Sequence, residues 1–250
     1  MNAAIALTRR ELLRLVREPT RLVALFGTTL VFWLVIGAGF ASSFAPPTDE
    51  ESYAAYLVPG IVLMIALFGS IMGAIGLIQD RQDGFLQSVL VSPAPAWSVV
   101  FSKSAVGVCA VLLQTAPLVV GARLLGVEVT PAGALLSLLG VAFASVGVLC
   151  VGLLLAWRIN SVSGFHGVMN LVLLPMWLLS GALFPVEGAA GWMGFIMRLN
   201  PMHWGHRTIA GPLGVGPGAG VLAWSVTVLF ALVVAGACVV QINTRSAKGG

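Results

Sequence analysis

AGALLSLLGVAFASVGVLCVGLLLA, residues 132–156, runs without a charge or a proline. At about 1.5 Å per residue a helix of that length exceeds the roughly 30 Å hydrocarbon core of a bilayer. In lipid only a helix or a closed barrel satisfies every backbone group, and a run with no polar alternation is not a barrel strand. Residues 132–156 therefore read as a membrane-spanning helix. The same test applied outward finds charge-free stretches at 22–48, 52–79, 104–122, 129–157, 159–186 and 208–244. Trimming their polar ends predicts spans near 22–43, 54–78, 104–122, 132–156, 164–183 and 219–241. The apolar run of the first is longer than the core of a signal peptide, so it is expected to persist as a span. Stretch 84–102 is also charge-free, but Ser92-Pro93-Ala94-Pro95 interrupts it, and lipid cannot satisfy the backbone that prolines free. It is placed outside the membrane. Stretch 188–197 is half a span and reads as a re-entrant or interfacial helix.

Composition agrees. Of 250 residues, 58% are hydrophobic and 9% charged, against about 25% charged in soluble proteins. So few charges cannot coat a soluble globule. Disorder, collagen and coiled coil fall too, since each needs polar bias or a strict repeat. The net charge of +4 gathers near the N-terminus, where a membrane protein has a use for it, so no nucleic-acid partner is expected. Cys109, Cys150 and Cys238 lie apart in apolar runs, with no metal-ligand spacing.

Lysines and arginines set the orientation. Arg9, Arg10, Arg14, Arg17, Arg21, Arg81, Lys103, Arg158, Arg245 and Lys248 fall on one side of the six spans, and Arg123, Arg198 and Arg207 on the other. Both termini are thus expected in the cytoplasm. Residues 5–18 place Ile5, Leu12, Leu13, Leu15 and Val16 on one helical face. Arg10, Arg14 and Arg17 lie on the opposite face, the pattern of a helix in the membrane plane. Pro19 ends it. Cytoplasmic loop 79–103 opens with Asp80, Arg81 and Asp83, a charged entrance with a possible helix cap. Phe85, Leu86, Val89 and Leu90 follow at helical spacing until Ser92-Pro93. That apolar face either packs on its own bundle or docks into a groove of a soluble partner. Outer loop 184–218 mixes Trp192 and Trp204 with prolines and glycines, which suits broken half-helices.

Catalytic signatures are missing. There is no phosphate-cradling P-loop, no HExxH, no GxSxG and no dinucleotide fingerprint. His203 and His206 have HxxH spacing but no third ligand in sequence, and read as interfacial, with no metal site. The expected spans hold no Asp, Glu, Lys or Arg, which argues against an ion-coupled carrier. Gln114, His166, Asn170 and Ser180 are the polar groups at depth, candidates for a pathway or for a contact between copies. Helix–helix hydrogen bonding explains them equally well. Gly69, Gly73 and Gly76 mark a close-packing face.

Two blocks resemble the membrane subunit of type 2 ABC exporters, a family that includes drug-resistance, nodulation-factor and polysaccharide export permeases. The first is Leu57-Val58-Pro59-Gly60, then Asp80-Arg81-Gln82-Asp83-Gly84-Phe85-Leu86 through Ser92-Pro93, and Lys103. The second is Asn170, Pro175, Ser180-Gly181, Phe184-Pro185, Trp192 and Asn200-Pro201. Where the family often carries an acidic residue after the first block's Gly, this chain has Phe85 and Gln87. Met202-His203-Trp204-Gly205-His206 also departs from the commoner apolar–Thr–Tyr type.

The resemblance implies one all-α membrane domain over 1–250 with six transmembrane helices. Residues 1–19 would be an amphipathic elbow helix and 79–103 a cytoplasmic coupling loop. Segment 184–218 would be re-entrant, with Phe184, Pro185, Trp192, Asn200 and Pro201 at an outer gate. Asp83, Gly84, Phe85, Leu86, Val89, Leu90, Ser92 and Pro93 would dock on a separate P-loop ATPase, present in two copies and supplying ATP and Mg chemistry. The chain itself would need no cofactor and catalyse nothing. Two permease copies, a homodimer, would form the pathway in the inner membrane and move a drug, lipid or lipid-linked glycan outward. The competing reading is a stand-alone channel or secondary carrier, which would need neither nucleotide nor partner.

Overall fold

The computed structural model describes residues 2–18, 53–92 and 94–246, with isolated positions at 23, 27 and 31. The expected first span and Pro93 lie outside the described residues. All regular structure among them is helical. In chain order the helices are α1 (Asn2–Arg17), α2 (Tyr53–Gln82), α3 (Phe85–Leu90), α4 (Ala96–Gly121), α5 (Pro131–Ala156), α6 (Val162–Leu178), α7 (Gly191–Leu199), α8 (Pro201–Ala210) and α9 (Val221–Ser246). Short 3-10 turns occupy Ala122–Leu125, Val186–Gly188 and Gly211–Leu213.

Four of these, α2, α4, α5 and α9, are long and apolar enough to cross a membrane. The chain is a multi-pass membrane protein. Helix α6 covers the expected fifth span but has only 17 residues. It stops early because the chain turns at Gly181, whose φ of 96° only glycine adopts without strain. Helix α4 corrects the expected third span, beginning at Ala96 rather than near 104. Its first turns carry Lys103, the charge at which the apolar reading stopped, and Lys103 is only 4% exposed. Helices α2 and α4 thus run on past the expected spans 54–78 and 104–122, through Asp80, Arg81 and Lys103.

Local sequence explains the helix starts. Thr130 accepts a hydrogen bond from the Gly133 amide, with Pro131 in the first helical position of α5. Ser161 does the same for Gly164 in α6. Asn200 does so for Met202 in α8, again followed by proline. Asp83 does not cap α3. The residue there is Gly84, in the left-handed region at φ 74°. It lets the chain reverse between α2 and α3 within two residues.

Helices α2 and α5 are the centre of the bundle. Helix α2 packs against α4, α5, α6 and α8, and α5 against α2, α4, α8 and α9. Lipid gives helices no hydrophobic reason to associate, so close packing must do it. Gly73 of α2 meets the Leu149 side chain of α5, and Gly140 of α5 meets Thr208 of α8. An added Cβ would come within 2.7 Å of either neighbour.

Candidate functional site

The charged residues of the first block converge at the Gln82 end of α2. Asp80 is 2% exposed. Its Oδ1 accepts from Arg10 at 3.0 Å and Arg14 at 3.1 Å, and its Oδ2 accepts from Lys103 Nζ at 2.7 Å. Lys103 also donates to Glu11 at 3.0 Å, and Arg10 to Glu11 at 3.1 Å. Arg14 donates to Gln79 Oε1 at 2.7 Å and pairs with Glu18 at 3.3 Å. Gly76, one turn before Asp80, makes room for the ammonium: a Cβ there would stand 3.4 Å from Nζ. The buried charges thus satisfy each other, which is the condition for burying them at all.

Helix α1 turns its charged face inward to make this clasp. Ile5, Leu12, Leu13 and Val16 point away from the bundle. That is inverted relative to a soluble amphipathic helix and suits one whose apolar side meets lipid. Arg17 is exposed, while Arg10 and Arg14 are the clasp residues. The Arg10 guanidinium also lies 3.5 Å from the centroid of the Phe85 ring, a cation–π contact that joins α1 to α3. Beside the clasp, Arg81 donates to the carbonyls of Trp157 and Ile159, and Gln82 to that of Asn160 at 2.8 Å. The turn between α5 and α6 is thereby fixed to the same end of α2.

Helix α3 corrects one expectation. Leu86 and Val89 are buried in the chain's own core, and Phe85 is half-buried against it. The outward face of α3 and its following turn is Gln87, Ser88, Val91 and Ser92. The side chain of Leu90 lies outside the described residues.

The second block gathers at the Tyr53 end of α2, and its bonds are neutral. Tyr56 donates to the Gly181 carbonyl at 2.8 Å, and Trp177 to the Gly60 carbonyl at 2.8 Å. Gly60 lies so close to Ala182 that a Cβ would stand 2.7 Å from its carbonyl oxygen. Asn200 donates to the Met176 carbonyl at 2.6 Å while capping α8. The Nδ1 of His203 pairs with the Ser180 carbonyl at 3.1 Å. His203 and His206 are buried rather than interfacial, because α8 folds back against α5. Burial pushes the His206 imidazole down to about 4, and its Nε2 has no hydrogen-bond partner. No group of three or more His, Cys, Asp or Glu able to hold a metal occurs among the described residues.

The remaining polar candidates occupy separate settings. Gln114 is buried and donates to Ala110 of its own helix, and His166 pairs with Val162 of its own helix. Asn170 is exposed on α6. Ser180 is buried, bonding to the Trp177 carbonyl and accepting from Ala182. Phe184, Pro185 and Pro201 are half-buried and Trp192 is exposed. The sequence reading did not single out Glu11, Gln79, Tyr56 or Trp177. The available signal was that Asp80 and Lys103 border the expected second and third spans.

The family model described as ABC-2 type transporter matches residues 2–213. The chain belongs to this family. Among similar proteins, one from Cyanophora paradoxa named as a transport permease, ycf38, is 27% identical over 199 residues, 78% of this chain and 69% of its own. A ycf38 permease from Porphyra purpurea is 29% identical over 202 residues, 79% and 69% of the two chains. YbhR of Escherichia coli (strain K12), named as a multidrug ABC transporter permease, is 26% identical over 153 residues, 60% and 41% of the two chains. This ABC-2 permease is thus a membrane transport protein. The match begins in α1 and runs past α8, so it takes in both clasps.

Proposed function

We propose that this ABC-2 permease is the membrane subunit of an ATP-driven exporter, coupled through α3 to a separate ATPase. The observation that carries the reading is Arg10. One guanidinium reaches Asp80 of α2 and covers Phe85 of α3. A push on α3 is therefore delivered to α1, α2 and, through Lys103, α4 as one body. Helix α1 is the elbow helix, and loop 79–103 carries the coupling helix.

In this reading residues 1–250 form one transmembrane domain of six spans, the first of them at 22–43. Both termini face the cytoplasm, and the membrane is the inner membrane. Two ATPase copies bind ATP and Mg and close together. Two permease copies form the pathway, and the motion favours one of two bundle states by differential contact. Segment 184–218 forms the outer gate, with the neutral bonds around Gly181 as its hinge. The cargo is amphipathic or lipid-like, a drug, lipid or lipid-linked glycan, which suits an apolar bundle. The name of the E. coli relative agrees with a drug-like cargo.

Val91→Asp is the test. Val91 is 81% exposed, so its replacement leaves the bundle intact. The tagged variant is expected to lose a P-loop ATPase that co-purifies with the wild-type chain from native membranes. Co-purification at wild-type yield overturns docking through α3. A wild-type chain that transports alone in vesicles would establish a channel or carrier.

A further inference from the structure

At the end of the bundle remote from α1 and α3, helix α7 turns an apolar stripe away from the protein. Trp192, Phe195, Ile196 and Leu199 are exposed, Trp192 by 70% and Phe195 by 64%. Their spacing keeps them within about 100° of arc on one helix face. The opposite face, Gly194 and Met197, is buried. Cationic groups border the stripe. Arg198 is exposed in the last turn of α7. Trp204 of α8 donates its indole N–H to the Arg198 carbonyl at 2.9 Å, and the Arg207 guanidinium lies 5.7 Å from the centroid of its ring. Arg207 also donates to the Gly218 carbonyl at 3.0 Å. Arg198, Arg207 and Glu187 all act electrostatically on His203. Trp204 thus joins the Arg198 backbone to the Arg207 guanidinium beside an apolar stripe.

We propose that α7 and the outward face of α8 bind an anionic phospholipid of the leaflet remote from α1 and α3. Its phosphate lies between Arg198 and Arg207, and its acyl chains run along Trp192 and Phe195. A stripe alone would accept any lipid. The paired arginines select the anionic headgroup, because guanidinium forms charge-assisted bonds to phosphate oxygens. Trp204 ties the Arg198 carbonyl to the helix that carries Arg207 and supplies the amphipathic ring that suits the headgroup zone.

Native mass spectrometry of the purified full chain tests this with phosphatidylglycerol and phosphatidylcholine of identical acyl chains. The wild-type chain is expected to retain phosphatidylglycerol preferentially, by about five-fold for each arginine engaged. Arg198→Gln, at an exposed position, is expected to lower that preference about five-fold, and Arg198→Gln with Arg207→Gln to bring the two lipids near parity. Parity in the wild-type chain, or an unchanged preference in both variants, overturns the proposal. A second measurement asks what covers the stripe. A nitroxide on Trp192→Cys is expected to be relaxed more by oxygen than by a water-soluble nickel chelate. A disulfide between two copies at that cysteine in native membranes would show that protein covers the stripe, and would overturn the lipid assignment.

Discussion

At its Gln82 end, helix α2 is held by formal charges: Asp80, Lys103, Arg10, Arg14 and Glu11. At its Tyr53 end it is held by neutral donors on backbone carbonyls, Tyr56 on Gly181 and Trp177 on Gly60, while Asn200 on Met176 ties α8 to α6. The two ends do the same mechanical task with different chemistry. Charges are stable when buried only as a complete set, so the first clasp behaves as a unit. Neutral bonds each contribute about 1 kcal/mol and fail one at a time. The first arrangement suits transmission of a push. The second suits a region that must loosen in steps.

The contrast is most sharply tested by Asp80→Ala. It leaves Lys103 buried without its closest partner, a loss of about 3–5 kcal/mol. The thermal midpoint of the detergent-purified chain should fall steeply, and Asp80→Ala combined with Lys103→Met should recover most of the loss. A double variant no better than the single one would show that the charges do not act as a set. Asn200→Ala should cost about 2 kcal/mol, since it removes both a helix cap and the bond to Met176. Here no second substitution should rescue, because the partner is backbone.

Acid probes the neutral end separately. The buried His206 imidazole is held at about 4, below the unfolded value near 6.5. Its neutral form stabilises the fold above pH 6.5, and that contribution is lost as pH falls toward 4. Between pH 7 and 5 the loss should be on the order of 1–2 kcal/mol. His206→Gln should flatten the dependence of the melting midpoint over that window. An identical slope in the variant would place the titration elsewhere. Arg10→Gln removes the guanidinium from Phe85 and from its bonds to Asp80 and Glu11, while Arg14 and Lys103 still serve Asp80. The cation–π part is about 1 kcal/mol or less. It should reduce ATPase co-purification more than it reduces thermal stability.

Much of this was legible in the chain. The apolar runs gave the long helices, and the Pro-Ala-Pro break placed α3 outside them. Arg10 and Arg14, four residues apart, already shared one face. What the sequence hid was direction. Leu86 and Val89 alternate with Gln87 and Ser88 in a helix too short for periodicity to say which side is covered. The apolar-run reading stopped α4 at Lys103 because a charge is costly in lipid. The cost vanishes only when Asp80 and Glu11 meet it across the fold, and no local pattern announces that. His203 and His206 looked interfacial beside Trp204 because the return of α8 onto α5 depends on Gly140 admitting Thr208 closely.

The span of the charged clasp along the chain also orders its assembly. Arg10 finds Asp80 70 positions on, and Glu11 finds Lys103 92 positions on. As the chain leaves the ribosome, α1 is made first, with only the local pairs Arg10–Glu11 and Arg14–Glu18 open to it until α2 has followed. The set closes only when the start of α4 has been synthesised and Lys103 is retained on the same side as α1. A nascent chain in which α4 inserted the wrong way round would carry Lys103 to the far side and leave Asp80 and Glu11 short of a cation. The clasp can therefore close only in a chain whose α4 keeps Lys103 on the side of α1.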